Sequence, residues 1–199
     1  ERENLHYLFK KINILIKNPN FEVVLVDNGS SDGTTDLIKK YAIQKRQIKI
    51  VIIKKNIGYG HGIHEGLTKA SGDILSWSHA DMQADPLDVI KGLEIFKKNG
   101  LDIFVKGNRY GRPFLDVFFT IGMSCFETLF LRKLLWDINA QPTMFSKRFF
   151  KTWVNPPFDF SLDLFSYYQA KKNNIKVFKF PVKFSARLYG VSKWNINWS

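Results

Sequence analysis

Four side chains able to bind a cation crowd into one short stretch: His79, Asp81, Gln83 and Asp85, within Ser78-His-Ala-Asp-Met-Gln-Ala-Asp-Pro86. They follow directly on the apolar run Ile74-Leu-Ser-Trp77. A run of this kind reads as a buried parallel strand, and open α/β sheets bind ligands just beyond the carboxyl ends of such strands. Asp81 brings a full negative charge, Gln83 a neutral oxygen, and His79 a borderline nitrogen better suited to Mn²⁺ than to Mg²⁺. Asp85 immediately precedes Pro86, and capping of the next helix accounts for it.

Three further groups could meet a ligand. The strand-like Phe21-Glu-Val-Val-Leu-Val-Asp27 ends in Asn28-Gly-Ser-Ser-Asp-Gly33, where Asp27 and Asn28 suit an Asx-type turn as well as a ligand contact. A second apolar strand, Ile48 to Ile53, opens into a loop containing Gly58, Gly60 and Gly62, and glycines permit close backbone approach. Basic side chains stand in what read as loops: Arg109 and Arg112 in Gly107–Pro113, Arg187 and Lys193 near the end. Arginine takes phosphate with paired hydrogen bonds. The chain of 199 residues carries a formal net charge of +12, which points to an anionic partner. No motif for nucleic-acid recognition accompanies that charge.

These groups need a frame, and the patterning predicts one. Apolar positions from Leu5 to Ile16 have helical spacing, with Asn4 as N-cap. A helix from Thr34 or Thr35 to about Arg46, one from about Ile63 to Ala70 and one from Pro86 to Asn99 alternate with the apolar strands. Asp102 to Lys106 adds another strand, while Thr143 to Lys151 is ambiguous. Alternation of this kind is the signature of an α/β fold with a mostly parallel central sheet flanked by helices. At this length one domain is expected. The single Cys125 excludes an intramolecular disulfide, and no apolar stretch is long enough to span a bilayer.

Four segments in order resemble the nucleotide-sugar glycosyltransferases of family 2, which have the GT-A fold. They are Val24-Leu-Val-Asp-Asn-Gly-Ser-Ser-Asp-Gly-Thr34, Asn56-Ile-Gly-Tyr-Gly-His-Gly62, Gly72-Asp73 with His79-Ala-Asp-Met-Gln83, and Arg187-x-x-Gly-x-Ser-Lys193. The last, with Gly107-Asn-Arg109, is most similar to the polyprenyl-phosphate branch that includes dolichyl-phosphate mannose synthase. The resemblance implies an inverting transfer from a nucleotide-sugar donor, with Mg²⁺ or Mn²⁺ on the diphosphate at Asp81, Gln83 and His79. It implies donor contacts at Asp27, Asn28, Gly58, Gly60, Gly62 and Asp81. It also implies catalytic roles for Asp81, Arg109, Arg187 and Lys193, with Arg112, Asp137 and Gln141 on the acceptor side. His79 stands where the family pattern has the first Asp of Asp-x-Asp.

The acceptor is expected to be a polyprenyl phosphate, which is already an anion and needs no general base. A saccharide hydroxyl would need one, and Asp137, Asp159 and Asp163 compete for that task. Helix capping explains the last two better. An inactive nucleotide-binding protein is the competing class. The apolar positions of 114–136 form a wide helical face, for which core packing is favoured over lying on a membrane. The family's opening strand, ending in Pro-x-Tyr-Asn-Glu, has no counterpart before Glu1, so truncation at the N-terminus, and possibly the C-terminus, is expected. The implied location is the cytoplasmic face of a membrane, held peripherally.

Overall fold

The computed structural model describes residues 2–186. A 3₁₀ turn at Arg2–Asn4 leads into α1 (Leu5–Leu15), whose Leu5, Leu8, Ile12 and Leu15 are all buried. Asn4 makes no side-chain cap; it is itself buried, so the predicted cap is corrected. The apolar face of α1 meets Leu25 of β1 (Val23–Asn28), Ile38 of α2 (Thr34–Ala42) and Ile48 of β2 (Ile48–Ile53). β1 and β2 pair in parallel from Val23 opposite Ile48 to Asn28 opposite Ile53, with α2 as the crossover. Neither Thr34 nor Thr35 caps α2. The cap is Gly33 at φ 82°, and Asp32 accepts the Thr34 N–H at 3.1 Å.

After α3 (Tyr59–Lys69) the chain builds a four-stranded sheet from β3 (Ile74–Trp77), β4 (Ile103–Tyr110), β5 (Thr143–Ser146) and β6 (Lys176–Lys183). α4 (Asp88–Asn99) lies between β3 and β4; α5 (Phe114–Leu131) follows β4. α6 (Lys147–Phe150) and α7 (Leu162–Lys172) precede β6. The strand order is β3-β5-β4-β6, and among the described residues this sheet shares no ladder with β1-β2. β5 runs antiparallel to β3 and β4, whereas β4 and β6 are parallel. β3, β4 and β6 therefore all point one way, and the expected mostly parallel α/β arrangement holds with one reversed strand. That strand lies in the stretch whose pattern was ambiguous. All four residues of β5 are buried, so no alternation could mark it.

Aromatic packing fills one side of this sheet. Phe104 and Phe145 stack at 5.8 Å between ring centres, and Phe104 stacks on Tyr167 of α7 at 5.9 Å. On the other side Phe96 of α4 packs with Ile103, Val105, Met144 and Phe180. Two expectations are corrected. β4 runs on to Tyr110, so Arg109 is a strand residue, not a loop residue. α5 does not bury its wide apolar face: Phe114 is 80% exposed and Leu129 82%, and Phe118, Phe119, Phe126 and Phe130 are exposed too. α5 ends at Leu131, with Arg132 in the left-handed conformation at its C-cap.

Glu22 ties the β1-β2 layer to the turn before β3. Its carboxylate pairs with Lys49 at 2.7 Å and accepts the Ser71 hydroxyl at 2.7 Å, the Gly72 N–H at 3.0 Å and the Ser71 N–H. Burial pushes the Glu22 carboxyl up, but these four donors outweigh it and hold it down to about 2. Because the folded value lies below the ordinary one of 4.5, the carboxylate stabilises fully above pH 4.5. That contribution disappears as pH falls through about 2. Glu22→Gln is expected to lower unfolding free energy at pH 7 by about 1 kcal/mol, with the deficit closing towards pH 2. Urea titrations of both proteins across that range measure it.

Candidate active site

The ends of β1, β3 and β4, the start of α3 and the turn 137–143 supply the predicted site residues. Asp27, at the end of β1, is buried and accepts the Ser30 N–H at 3.0 Å and the Thr35 hydroxyl. Burial pushes its carboxyl up, and the hydrogen bonds from Ser30 and Thr35 bring it below its ordinary value. Asn28 reaches across to the β2–α3 connection, donating to Gly58 O at 3.0 Å and to Asn56 Oδ1 at 3.3 Å.

The glycines serve a purpose the sequence did not disclose. α3 starts at Tyr59, so Gly60 and Gly62 lie in its first turn, not in a loop. A Cβ on Gly60 would fall 2.4 Å from Pro157 O, and one on Gly58 2.0 Å from Phe158 O. His61 N–H donates to that same Phe158 O at 3.1 Å. Gly58 and Gly60 thus admit the backbone of 157–159 against the start of α3. Gly62 instead faces the Asn28 amide, 3.0 Å from where its Cβ would stand.

Asp81 is buried at 3% exposure; its Oδ1 accepts the Gln83 N–H at 3.1 Å and its Oδ2 lies 4.0 Å from His79 Nδ1. Gln83 also anchors the segment after β6: its side-chain Nε2 donates to Ser185 O at 3.3 Å and its backbone carbonyl accepts the Ser185 N–H at 2.9 Å. Among the described residues no three His, Cys, Asp or Glu side chains cluster as a metal cage. One buried carboxylate with an imidazole beside it still fits a cation whose remaining ligands are phosphate oxygens and water. His79 can serve such an ion through Nδ1 only with its proton on Nε2. Gln141 Oε1, buried with no partner among the described residues, would accept that proton once the amide turns over. Asp85 is not the N-cap of α4, which is Leu87; it accepts the Leu87 N–H at 2.9 Å in the turn that leads into the helix, and also pairs with Lys11.

Behind His79 sits a polar cluster that sequence reasoning largely missed. His79 Nε2 lies 2.8 Å from Tyr59 Oη and 2.6 Å from Gln141 Nε2. Tyr59 donates to Asp163 Oδ2 at 2.9 Å and accepts from Gln141 Nε2 at 3.1 Å. Burial and then the Asp163 charge hold the Tyr59 hydroxyl well above its usual range, and burial raises the Asp163 carboxyl. Asp163 is therefore no surface capping group. Asp159 is exposed and accepts the Ser161 N–H at 2.9 Å and hydroxyl at 2.6 Å in the turn before α7. The signal for Tyr59 was its position inside the glycine motif.

Arg109 and Arg112 converge on Asp137, which is fully buried with φ 49°. Asp137 accepts the Arg109 N–H and Nε–H at 2.7 Å each, and Arg112 stands 3.8 Å away. Arg112 also donates to Thr120 Oγ1 of α5 at 2.8 Å. These side chains are mostly buried, and Asp137 is occupied on both oxygens. Two guanidiniums stand around one carboxylate. Arg187 and Lys193 lie outside the described residues.

Residues 1–119 match the model of a family described as Glycosyl transferase family 2. A dolichol-phosphate mannosyltransferase of Pyrococcus furiosus is 36% identical over 110 residues, covering 55% of this chain and 30% of the relative. An undecaprenyl-phosphate 4-deoxy-4-formamido-L-arabinose transferase of Aeromonas hydrophila is 34% identical over 76 residues, 38% of this chain and 23% of its own. The matched part thus spans a third or less of these curated relatives. The structure of glucosyl-3-phosphoglycerate synthase from Mycobacterium tuberculosis with phosphoglyceric acid superposes with TM-score 0.72 at 17% identity, covering 96% of this chain and 69% of that one. A mannosyltransferase from Pyrobaculum calidifontis in complex with GDP-Man and Mn²⁺ gives 0.65 at 17% identity, covering 96% and 55%. Both likenesses show a shared GT-A fold.

Removing this carboxylate should be costly, because it takes from the buried Arg109 guanidinium its bonded counter-charge. Asp137→Asn is expected to destabilise by roughly 3 kcal/mol. Gly60→Ala is expected to cost about 1–3 kcal/mol, since backbone cannot yield as a side chain does. Denaturant unfolding at neutral pH reads both.

Proposed function

The chain belongs to glycosyl transferase family 2, and from that premise we propose that it transfers a sugar, with inversion, from a nucleotide-sugar donor to a polyprenyl phosphate at a membrane surface. The observation that carries this reading is the position of two guanidiniums beside an open apolar helix face. Arg109 and Arg112 stand at the root of α5, linked to it by the Arg112–Thr120 hydrogen bond, and α5 holds its aromatic face open. A phosphate attached to a long hydrocarbon needs both features side by side. Each Phe or Leu moved out of water contributes roughly 1.5–3 kcal/mol, so a few suffice to hold the helix at a bilayer. No helix among the described residues is long and apolar enough to cross one.

In this reading the donor lies along Asp27, Asn28 and the start of α3, with its diphosphate towards Asp81. A Mg²⁺ or Mn²⁺ ion held by Asp81 with His79 beside it supplies charge to stabilise the departing diphosphate. Arg109 and Arg112 hold the acceptor phosphate. One of its oxygens forms the bond to the anomeric carbon as the bond to the nucleoside diphosphate breaks, and no proton has to be removed. A hydroxyl acceptor would require an accessible base. Asp137 is fully buried and spent on Arg109, Asp163 is buried behind Tyr59, and the exposed Asp159 accepts from Ser161, which supports the phosphate over the saccharide.

Labelled transfer from a panel of nucleotide sugars to polyprenyl phosphate in anionic vesicles tests the reading. With Mn²⁺ supplied, transfer is expected from one donor, with inverted configuration at the anomeric carbon by NMR. Asp81→Ala should reduce it at least a hundredfold. Replacing Phe118, Phe126 and Leu129 together by Ser should abolish vesicle binding while nucleotide binding persists. Transfer to a saccharide hydroxyl but to no polyprenyl phosphate would reject it.

A further inference from the structure

A lysine that no predicted role touches lies beneath the site. Lys106 of β4 is 0% exposed, yet its ammonium is fully saturated: it donates to Ile138 O at 2.6 Å, Ala140 O at 2.8 Å and Thr143 Oγ1 at 3.2 Å. All three acceptors belong to the turn between α5 and β5. That turn holds both halves of the site. At one end Asp137 fixes Arg109. At the other Gln141 touches Tyr59 and His79. In register with Lys106 on the neighbouring strand, Lys179 donates to Trp136 O, the carbonyl just before the turn.

Apolar filler would have been the cheaper occupant of such a position, because an ion loses its hydration on burial. Only a cation with three donors can satisfy two backbone carbonyls and a hydroxyl from one point. Besides Asp137 to Arg109 and Gln141 to Tyr59 and His79, the turn is tied by Gly107 N–H to Pro142 O at 3.0 Å, while Ala140 N–H to Asp137 O at 3.1 Å is internal to it.

We propose that Lys106 is a positioning residue for transfer, a clamp that fixes the 137–143 turn and thereby sets the acceptor cations relative to the His79–Asp81 end. The inference rests on the glycosyl-transfer reading for its kinetic consequence but not for its structural one. Lys106 should act on the chemical step more than on donor binding, because Asp27, Asn28 and Asp81 make no contact with it.

The clamp should also loosen in alkali. Burial lowers the Lys106 ammonium to about 8, with Asp163 and Asp137 pulling it up and Lys179 and Arg109 pushing it down. Lys179 is likewise lowered to about 8, by burial first, with Asp137 opposing and Lys171 adding to the shift. The folded values lie below the ordinary 10.5. These two groups therefore make the fold more stable as pH climbs from about 8 to 10.5. Over the same interval each loses a donor from the turn. Stability and turnover are thus expected to move in opposite directions, which a merely structural lysine would not produce.

Lys106→Met, which keeps length and removes the donors, tests this in the full chain. At pH 7, amide hydrogen exchange by mass spectrometry should rise at least tenfold in peptides covering 136–143 and stay within twofold over 23–69. With the donor that supports transfer, kcat should fall at least tenfold with donor KM within twofold. The descending limb of the wild-type kcat profile near pH 8 should be lost in the variant. Exchange that rises everywhere, or nowhere, would overturn the clamp whatever the reaction proves to be. Local exchange as expected, with unchanged kcat, would overturn the positioning role. Should Lys106→Met fail to fold, Lys179→Met, which removes the weaker tie to Trp136 O, should raise exchange over 136–143 alone. Unchanged exchange there would overturn the clamp.

Discussion

A charge taken out of water must find its partners within reach, and in this protein the partners are drawn from one short turn. The Lys106 ammonium, the Asp137 carboxylate and the Gln141 amide are all buried, and each is committed to groups that face a ligand or support one that does. The order of the strands makes this possible. β5 returns antiparallel between β3 and β4, so the turn that feeds it must cross the carboxyl ends of both neighbours. The same reversal that completes the sheet therefore closes the site from below. A parallel strand there would enter from the opposite end and bring no such turn.

The site divides into a negative corner and a positive one. Asp81 and Asp27 stand at the ends of β3 and β1, where a cation and a nucleotide could be held. Arg109 and Arg112 gather around Asp137 beside α5. Tyr59, Asp163 and His79 lie between, in a cluster whose burial raises the tyrosine and the carboxyl alike. Keeping opposite charges apart in this way matters to any reaction between two anions, because each needs its own counter-charge before the two can approach. α5 adds an open apolar face to the positive corner. Its exposed aromatics are out of keeping with a helix that meets only water.

Much of the frame could be read from residue patterns. Helical spacing located the buried face of α1, and unbroken apolar runs located β1, β2 and β3, because each periodicity is set by local backbone geometry. Asp27, Asn28, Asp81 and Asp85 lie where the ends of those runs put them. The misreadings have a common cause. Gln83 and Asp163 carry ordinary polar side chains whose partners are distant in sequence, and no local pattern separates a cap from a buried tie. Gly58 and Gly60 read as allowing close backbone approach, and the 157–159 segment makes such an approach. For α5 the periodicity was right and the burial was not, since spacing shows that a face is apolar without saying what covers it.

By itself the sequence determined the alternation of strands and helices, the ordered motifs of the family and the places where carboxylates and guanidiniums emerge from strand ends. Those properties depend on residues near one another along the chain. The tertiary structure alone decided that Arg109 and Arg112 share Asp137, that Gln83 turns to Ser185, and that Lys106 is buried under the turn it holds. Such pairings follow from desolvation, which depends on what surrounds a group after folding and not on what precedes or follows it in the chain.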